Sequence, residues 1–172
     1  MQAEHGDDLD VIFIPGDMLG HAYPAYLPWF YDDETEEAKL EAIEEAMEEG
    51  KVHYPETLKV LSEVSAMFTK YFPNTLILPA LGNNDTKWHY QPALTEHDQY
   101  YSFLFNEFFM KHPANRSLKS ISDIKETVEK GGYYRIDLTD DLTVLSLNTL
   151  FYNDQAAFMM PAGIEQMEWL ED

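Results

Sequence analysis

Two short loops in this 172-residue chain carry side chains whose types and placement could do chemistry. One is Gly16-Asp17-Met18-Leu19-Gly20-His21; the other is Gly82-Asn83-Asn84-Asp85-Thr86-Lys87-Trp88-His89. Each follows a short, almost wholly apolar run, LDVIFIP over 9–15 and NTLILPAL over 74–81, and such runs read as buried strands. The glycine that opens each loop lets the backbone turn sharply, so the next side chain can point into a crevice. Asp17 would bring a carboxylate and Asn83 an amide oxygen, both suited to a hard cation. The anion can bridge two cations, while the neutral amide ligates one without adding charge. Two cations about 3.5–4 Å apart would clamp a phosphoryl group and turn bound water into a hydroxide nucleophile. Taken singly, each loop reads as an ordinary turn. On matching strand ends they say more together than apart.

The elements around them must bring the loops to one place. If the two strands are parallel neighbours joined by a right-handed helical crossover, both loops leave the same edge of the sheet. That edge is where open α/β sheets hold ligands. Residues 32–50 (DDETEEAKLEAIEEAMEEG) predict an acidic surface helix with a narrow apolar stripe at Leu40, Ile43 and Met47. Residues 55–72 predict a second helix with Leu58, Leu61, Val64, Ser65 and Phe68 on one face. Residues 97–111 predict an aromatic helix, and 121–130 a shorter one closed by Gly131-Gly132. Residues 133–138 and 142–148 predict a hairpin across Thr139-Asp140-Asp141. A last helix is expected over 161–171, with Pro161 in its first turn. No internal repeat, low-complexity linker or second-domain boundary is visible. The order fits one α/β domain, a sheet covered by helices.

Composition narrows the function classes. With 32 acidic residues against 11 Lys and Arg, the formal charge is −21. Such a surface offers no nucleic-acid-binding patch and repels anionic membranes. An anionic substrate would need local positive charge, and bound divalent cations are the obvious source. Most of the acids equally serve solubility. The absence of cysteine excludes disulfides and thiolate metal sites. No apolar run is long enough for a transmembrane helix, and the first residues do not show a basic end followed by an apolar stretch.

The segments IPGDMLGH and PALGNNDTKWHYQPA resemble the second and third sequence blocks of calcineurin-like metallophosphoesterases. Within that family they are most similar to the acid sphingomyelinase-like phosphodiesterases and the endopolyphosphatases. GGYYRIDL…LTVLSLNTLFYN and GIEQMEWLED resemble later segments of the same enzymes, so the likeness runs from about residue 10 to residue 172. The resemblance implies a two-sheet sandwich flanked by helices and a pair of divalent ions (zinc, iron or manganese). Asp17 would bridge both ions and Asn83 would bind one. It also implies catalytic roles for His21, as general acid, and for Asn84 and Asp85, with His89 on the substrate side. The family pattern usually has histidine where Asn84 stands. An amide can donate a hydrogen bond to phosphate but cannot deliver a proton.

The family's Asp-x-His and Gly-His-x-His blocks are absent from the 172 residues. The expectation is therefore a single partial metallophosphoesterase domain over 1–172, incomplete at both ends, which leaves sheet edges open to self-association. Its parent would be a phosphodiesterase or polyphosphatase acting on a phosphoester or polyphosphate. The alternative is a non-catalytic acidic binding protein on a degenerate scaffold. By resemblance the location would be secreted, lysosomal or vacuolar. The triplets Asn84-Asp85-Thr86 and Asn115-Arg116-Ser117 fit the glycosylation pattern.

Overall fold

The computed structural model describes residues 9–20, 55–86, 92, 99–153 and 161–171. Val11–Ile14 forms β1 and Leu76–Pro79 forms β2. They pair in parallel, with Val11 opposite Leu76 and Ile14 opposite Pro79. The Leu76 N–H donates to the Asp10 carbonyl at 3.0 Å and the Ala80 N–H to the Ile14 carbonyl at 2.7 Å. The expected parallel neighbours are thus observed, and their loops leave the same end. Helix α1, residues 55–71, lies between them in sequence. It buries Leu61 and Ser65 and packs Leu58 and Val64 against the core, the face its periodicity predicts.

Among the described residues, the far edge of β2 meets side chains and not a third strand. Alternate residues of a strand offer their backbone groups to opposite edges; Leu76 and Ala80 serve β1, so Ile77 points away. There the Asn115 side chain substitutes for a strand. Its Oδ1 accepts from the Ile77 N–H at 2.9 Å, and its Nδ2 donates to the Ile77 carbonyl at 2.5 Å and the Phe108 carbonyl at 2.9 Å. Pro79 has no N–H to leave unpaired, and its carbonyl accepts from the Tyr134 hydroxyl at 2.7 Å. Among the described residues, the outward backbone groups of Ile77 and the Pro79 carbonyl are thus occupied by side chains.

Tyr100–Phe105 forms α2 and runs directly into a π-helical turn at Asn106–Met110. The regular helix expected there changes pitch where the Ser65 hydroxyl of α1 donates to the Glu107 carbonyl at 2.5 Å. Pro113–Arg116 is the one-turn α3 and Ile121–Gly131 is α4. Gly132 ends α4 in the left-handed region (φ 73°), with its N–H returning to the Val128 carbonyl at 2.8 Å. Tyr134–Thr139 (β3) and Leu142–Ser146 (β4) form the expected antiparallel hairpin. A 3₁₀ turn at Thr149–Tyr152 and helix α5, Pro161–Glu171, follow.

Among the described residues the strands make two two-stranded sheets, so the fold is mixed helix and strand with small sheets. The core is aromatic: Phe105 stacks on Phe109 (14° between planes), and Phe109 meets Tyr134 edge-on at 5.2 Å. The acidic helix expected over 32–50 lies outside the described residues. No described helix is long and apolar enough to cross a membrane.

Candidate functional site

The register of β1 on β2 places the two chemistry-bearing loops side by side. Their contact is main chain on main chain, with the Asp17 carboxylate also against Gly82. Gly16 is in the left-handed region (φ 98°), and a Cβ there would lie 2.4 Å from the Gly82 nitrogen. A Cβ on Gly82 would lie 2.2 Å from both the Asp17 nitrogen and its Oδ1. No larger residue fits either position without moving the other loop, which is why each loop opens on glycine.

Asp17 is the only non-glycine with positive φ among the described residues (φ 55°). Aspartate tolerates this region better than most side chains, yet the conformation still costs energy. Such strain persists where the surroundings enforce it, and it clusters at functional sites. The Asp17 side chain is exposed, and its Oδ1 accepts the Asn84 N–H at 3.1 Å. The first loop thus presents a carboxylate that the second loop holds by a main-chain donor.

Asp85 is fully buried (0% exposed) and does different work. Its Oδ1 accepts the Leu19 N–H at 3.1 Å and its Oδ2 the Gly82 N–H at 2.9 Å, one amide from each loop. Burial raises its pKa above the ordinary carboxylate value, while main-chain amides of Gly82, Leu19, Asp17 and Met18 pull the other way. The Tyr100 hydroxyl donates to the Asp85 backbone carbonyl from the start of α2. Behind the loops, Met18 and Leu81 pack with Leu104, Phe108 and Tyr134 in an apolar pocket, so the floor is nonpolar.

The structure brings Asp17, Asn83, Asn84 and Asp85 together in one loop pair. Asn83 is half-buried. Asn84 is turned inward, 2% exposed, with its Oδ1 lacking a hydrogen-bond partner. Among the described residues it therefore serves the site through its main-chain N–H. His21 and His89 lie outside the described residues. Tyr100 and the Leu19 amide are participants that sequence reasoning missed; Tyr100 is one aromatic among many in its helix, and a main-chain donor leaves no trace in residue type.

Asp17 and Asn83 have the oxygen chemistry that a hard cation needs, but they are two donors. No group of three or more His, Asp or Glu side chains among the described residues could hold a metal ion. The described residues are therefore part of a site at most. Both glycosylation triplets fail on geometry. Asn115 is 0% exposed with its amide committed to Ile77 and Phe108, and Asn84 is buried in the loop pair.

No protein-family model matches the chain. Among curated proteins it is similar to "Sphingomyelinase phosphodiesterase C" of Dictyostelium discoideum, with 28% identity over 119 residues. That match takes in 67% of this chain and 24% of the relative, so the chain spans about a quarter of that protein's length.

Proposed function

We propose that this chain is a section of a metal-dependent phosphodiesterase-type hydrolase, with Asp17 and Asn83 contributing ligands to its divalent cations. The observation that carries the reading is the loop pair. Two glycine-led loops from parallel strands meet through their backbones, with Asp17 in a left-handed conformation and held by the Asn84 N–H. The similarity to a protein named as a phosphodiesterase supports the same class. Divalent cations bound here would supply Lewis acidity and activate water; they would also offset the acidic character of a chain carrying −21.

This chain's own residues hold and orient. Asp17 offers an exposed carboxylate. Asn83 offers a neutral oxygen donor beside it. The Asn84 and Asp85 amides and carboxylate fix the loops that carry both. His21 and His89 are the proposed proton donor and substrate-side group. The substrate class that fits is a phosphodiester, of which a phospholipid head-group ester is the form suggested by the relative's name.

The test is hydrolysis of a bis-aryl phosphate by the full-length protein, with and without added divalent metal. Activity should require the metal, and Asp17→Asn should remove it. Metal-independent turnover, or full activity in that variant, would sink the assignment.

A further inference from the structure

Asp85 carries a negative group in the candidate site, and its type alone suggests an acid–base residue. Its surroundings argue for another role. The carboxylate is fully buried, and each oxygen already accepts a main-chain N–H, one from Leu19 at 3.1 Å and one from Gly82 at 2.9 Å. A group that exchanges protons with a substrate must reach it, at hydrogen-bond distance or through one water. Asp85 reaches neither solvent nor the exposed side of Asp17.

The Asp85 carboxylate bonds to both loops at once. At their contact, Gly16 lies against the Gly82 main chain, and the Asp17 main chain and carboxylate lie against Gly82. Bonds that cross between the loops include the Leu19 N–H to the Asp85 carboxylate and the Asn84 N–H to Asp17, and the Asp17 and Met18 main-chain amides also face that carboxylate. Asn84 sits within the turn that Asp85 closes, by its N–H to the Gly82 carbonyl at 3.3 Å and by its Oδ2, which accepts the Gly82 N–H at 2.9 Å. Tyr100, itself 1% exposed, fixes that turn to α2 through the Asp85 carbonyl.

We infer that Asp85 is a positioning residue which, backed by Tyr100, brackets the two loops and so sets where Asp17 and Asn83 stand relative to each other. It transfers no proton. This rests on reading Asp17 and Asn83 as cation ligands. Asp85 then acts through them, as outer groups do at metal centres.

The experiment titrates the full-length protein carrying this chain with Mn²⁺ alone, followed by calorimetry, in wild type, D17N, D85N and Y100F. Melting temperature and the pH–rate profile on a bis-aryl phosphate are recorded for each. Wild type should bind Mn²⁺ and D17N should not. D85N should bind about 10- to 100-fold more weakly, and Y100F should weaken binding by a smaller factor. Both should keep the limbs of the pH profile where wild type has them. Y100F removes one phenol oxygen from one loop bond, so it carries the test where D85N does not fold. Wild-type Mn²⁺ affinity in Y100F and in folded D85N, whatever their melting temperatures, would overturn the positioning role while leaving Asp17 as a ligand. Loss of a limb of the pH profile in D85N would overturn it too, since that marks a proton-transfer group. Failure of wild type to bind Mn²⁺ would overturn the ligand reading, and this assignment with it.

Discussion

Two polar clusters in this molecule both contain asparagine and use its amide in opposite ways. In the Asn148–Gln166 cluster every side-chain amide atom is committed. Asn148 Nδ2 donates to the Tyr101 hydroxyl and the Gly131 carbonyl, and its Oδ1 accepts the Leu150 N–H. Gln166 Oε1 accepts the Asn148 N–H at 2.8 Å, while its Nε2 donates to the Asn148 carbonyl and the Tyr152 hydroxyl. No charge is buried and the cluster pins α5 to the end of β4. Asn115 does the same for β2.

At the loop pair a carboxylate is exposed in a strained backbone, a second is fully buried, and the Asn84 amide oxygen has no partner. A buried polar atom without a partner costs roughly 1–3 kcal/mol, and Thr57, Thr69, His112 and Ser146 carry such atoms elsewhere in the described residues. Saturated amides mark scaffold. The loop pair is instead where a strained backbone, an exposed carboxylate and an unpartnered amide oxygen coincide.

That contrast can be broken most directly at Asp17. Asp17→Asn should cost the full-length protein more than the roughly 100-fold typical of losing an outer-shell group. It should leave the melting temperature nearly unchanged, because asparagine tolerates positive φ and keeps an oxygen for the Asn84 N–H. A large loss of stability would place Asp17 with the scaffold instead.

Asn115→Ala should behave in reverse. It strands the Ile77 N–H and carbonyl and the Phe108 carbonyl in the core, for a stability loss of about 3 kcal/mol by denaturant unfolding. Cation binding per folded molecule should be retained. An Asn115→Ala protein as stable as wild type would show that water reaches this edge and that Asn115 is not its plug.

Gly82→Ala should cross the two categories. Its Cβ would meet Asp17 main-chain and side-chain atoms at 2.2 Å. About 2 kcal/mol of stability should go as the loops separate, and Mn²⁺ affinity should fall with it. If stability drops while affinity holds, the loops do not need their backbone contact to place Asp17.

The smallest expected effect concerns His112, which is buried with neither ring nitrogen in hydrogen-bond geometry. Burial lowers its pKa from 6.5, and the nearby Phe72 backbone offsets only part of this. The unfolded chain therefore takes up the proton more readily than the folded one. Stability from this residue is complete above about pH 6.5 and is lost as pH falls through the lowered folded value. Unfolding free energies between pH 7.5 and 5 should fall less steeply in His112→Leu than in wild type. Parallel slopes would show that His112 does not contribute. Asp85 works in the opposite sense, and comparing the two proteins cancels it.

The local pattern of residues was enough for much of this. Two apolar runs ending at glycine announced β1, β2 and the loops after them. The spacing of Leu58, Leu61 and Val64 gave the buried face of α1, Gly131-Gly132 gave the end of α4, and Thr139-Asp140-Asp141 gave the hairpin turn. Each of these signals is written within a few residues, because helix periodicity, strand runs and turn chemistry are local. The placement of Asp17 and Asn83 at the start of those loops was legible for the same reason: each follows a glycine.

What tertiary structure alone decided lies in contacts between residues far apart in the chain. The hydrogen bond from Leu19 to Asp85 spans 66 residues and that from Ile77 to Asn115 spans 38. Nothing in the residue types said that Asp85 would spend both oxygens on amides, or that Asn115, in a glycosylation triplet, would be buried as a strand substitute. Nor did they say that Ser65 would meet the π-helical turn at Glu107. An aspartate or an asparagine has the same donors and acceptors wherever it stands. Whether they bind backbone, cation or nothing is settled only when the fold chooses their neighbours.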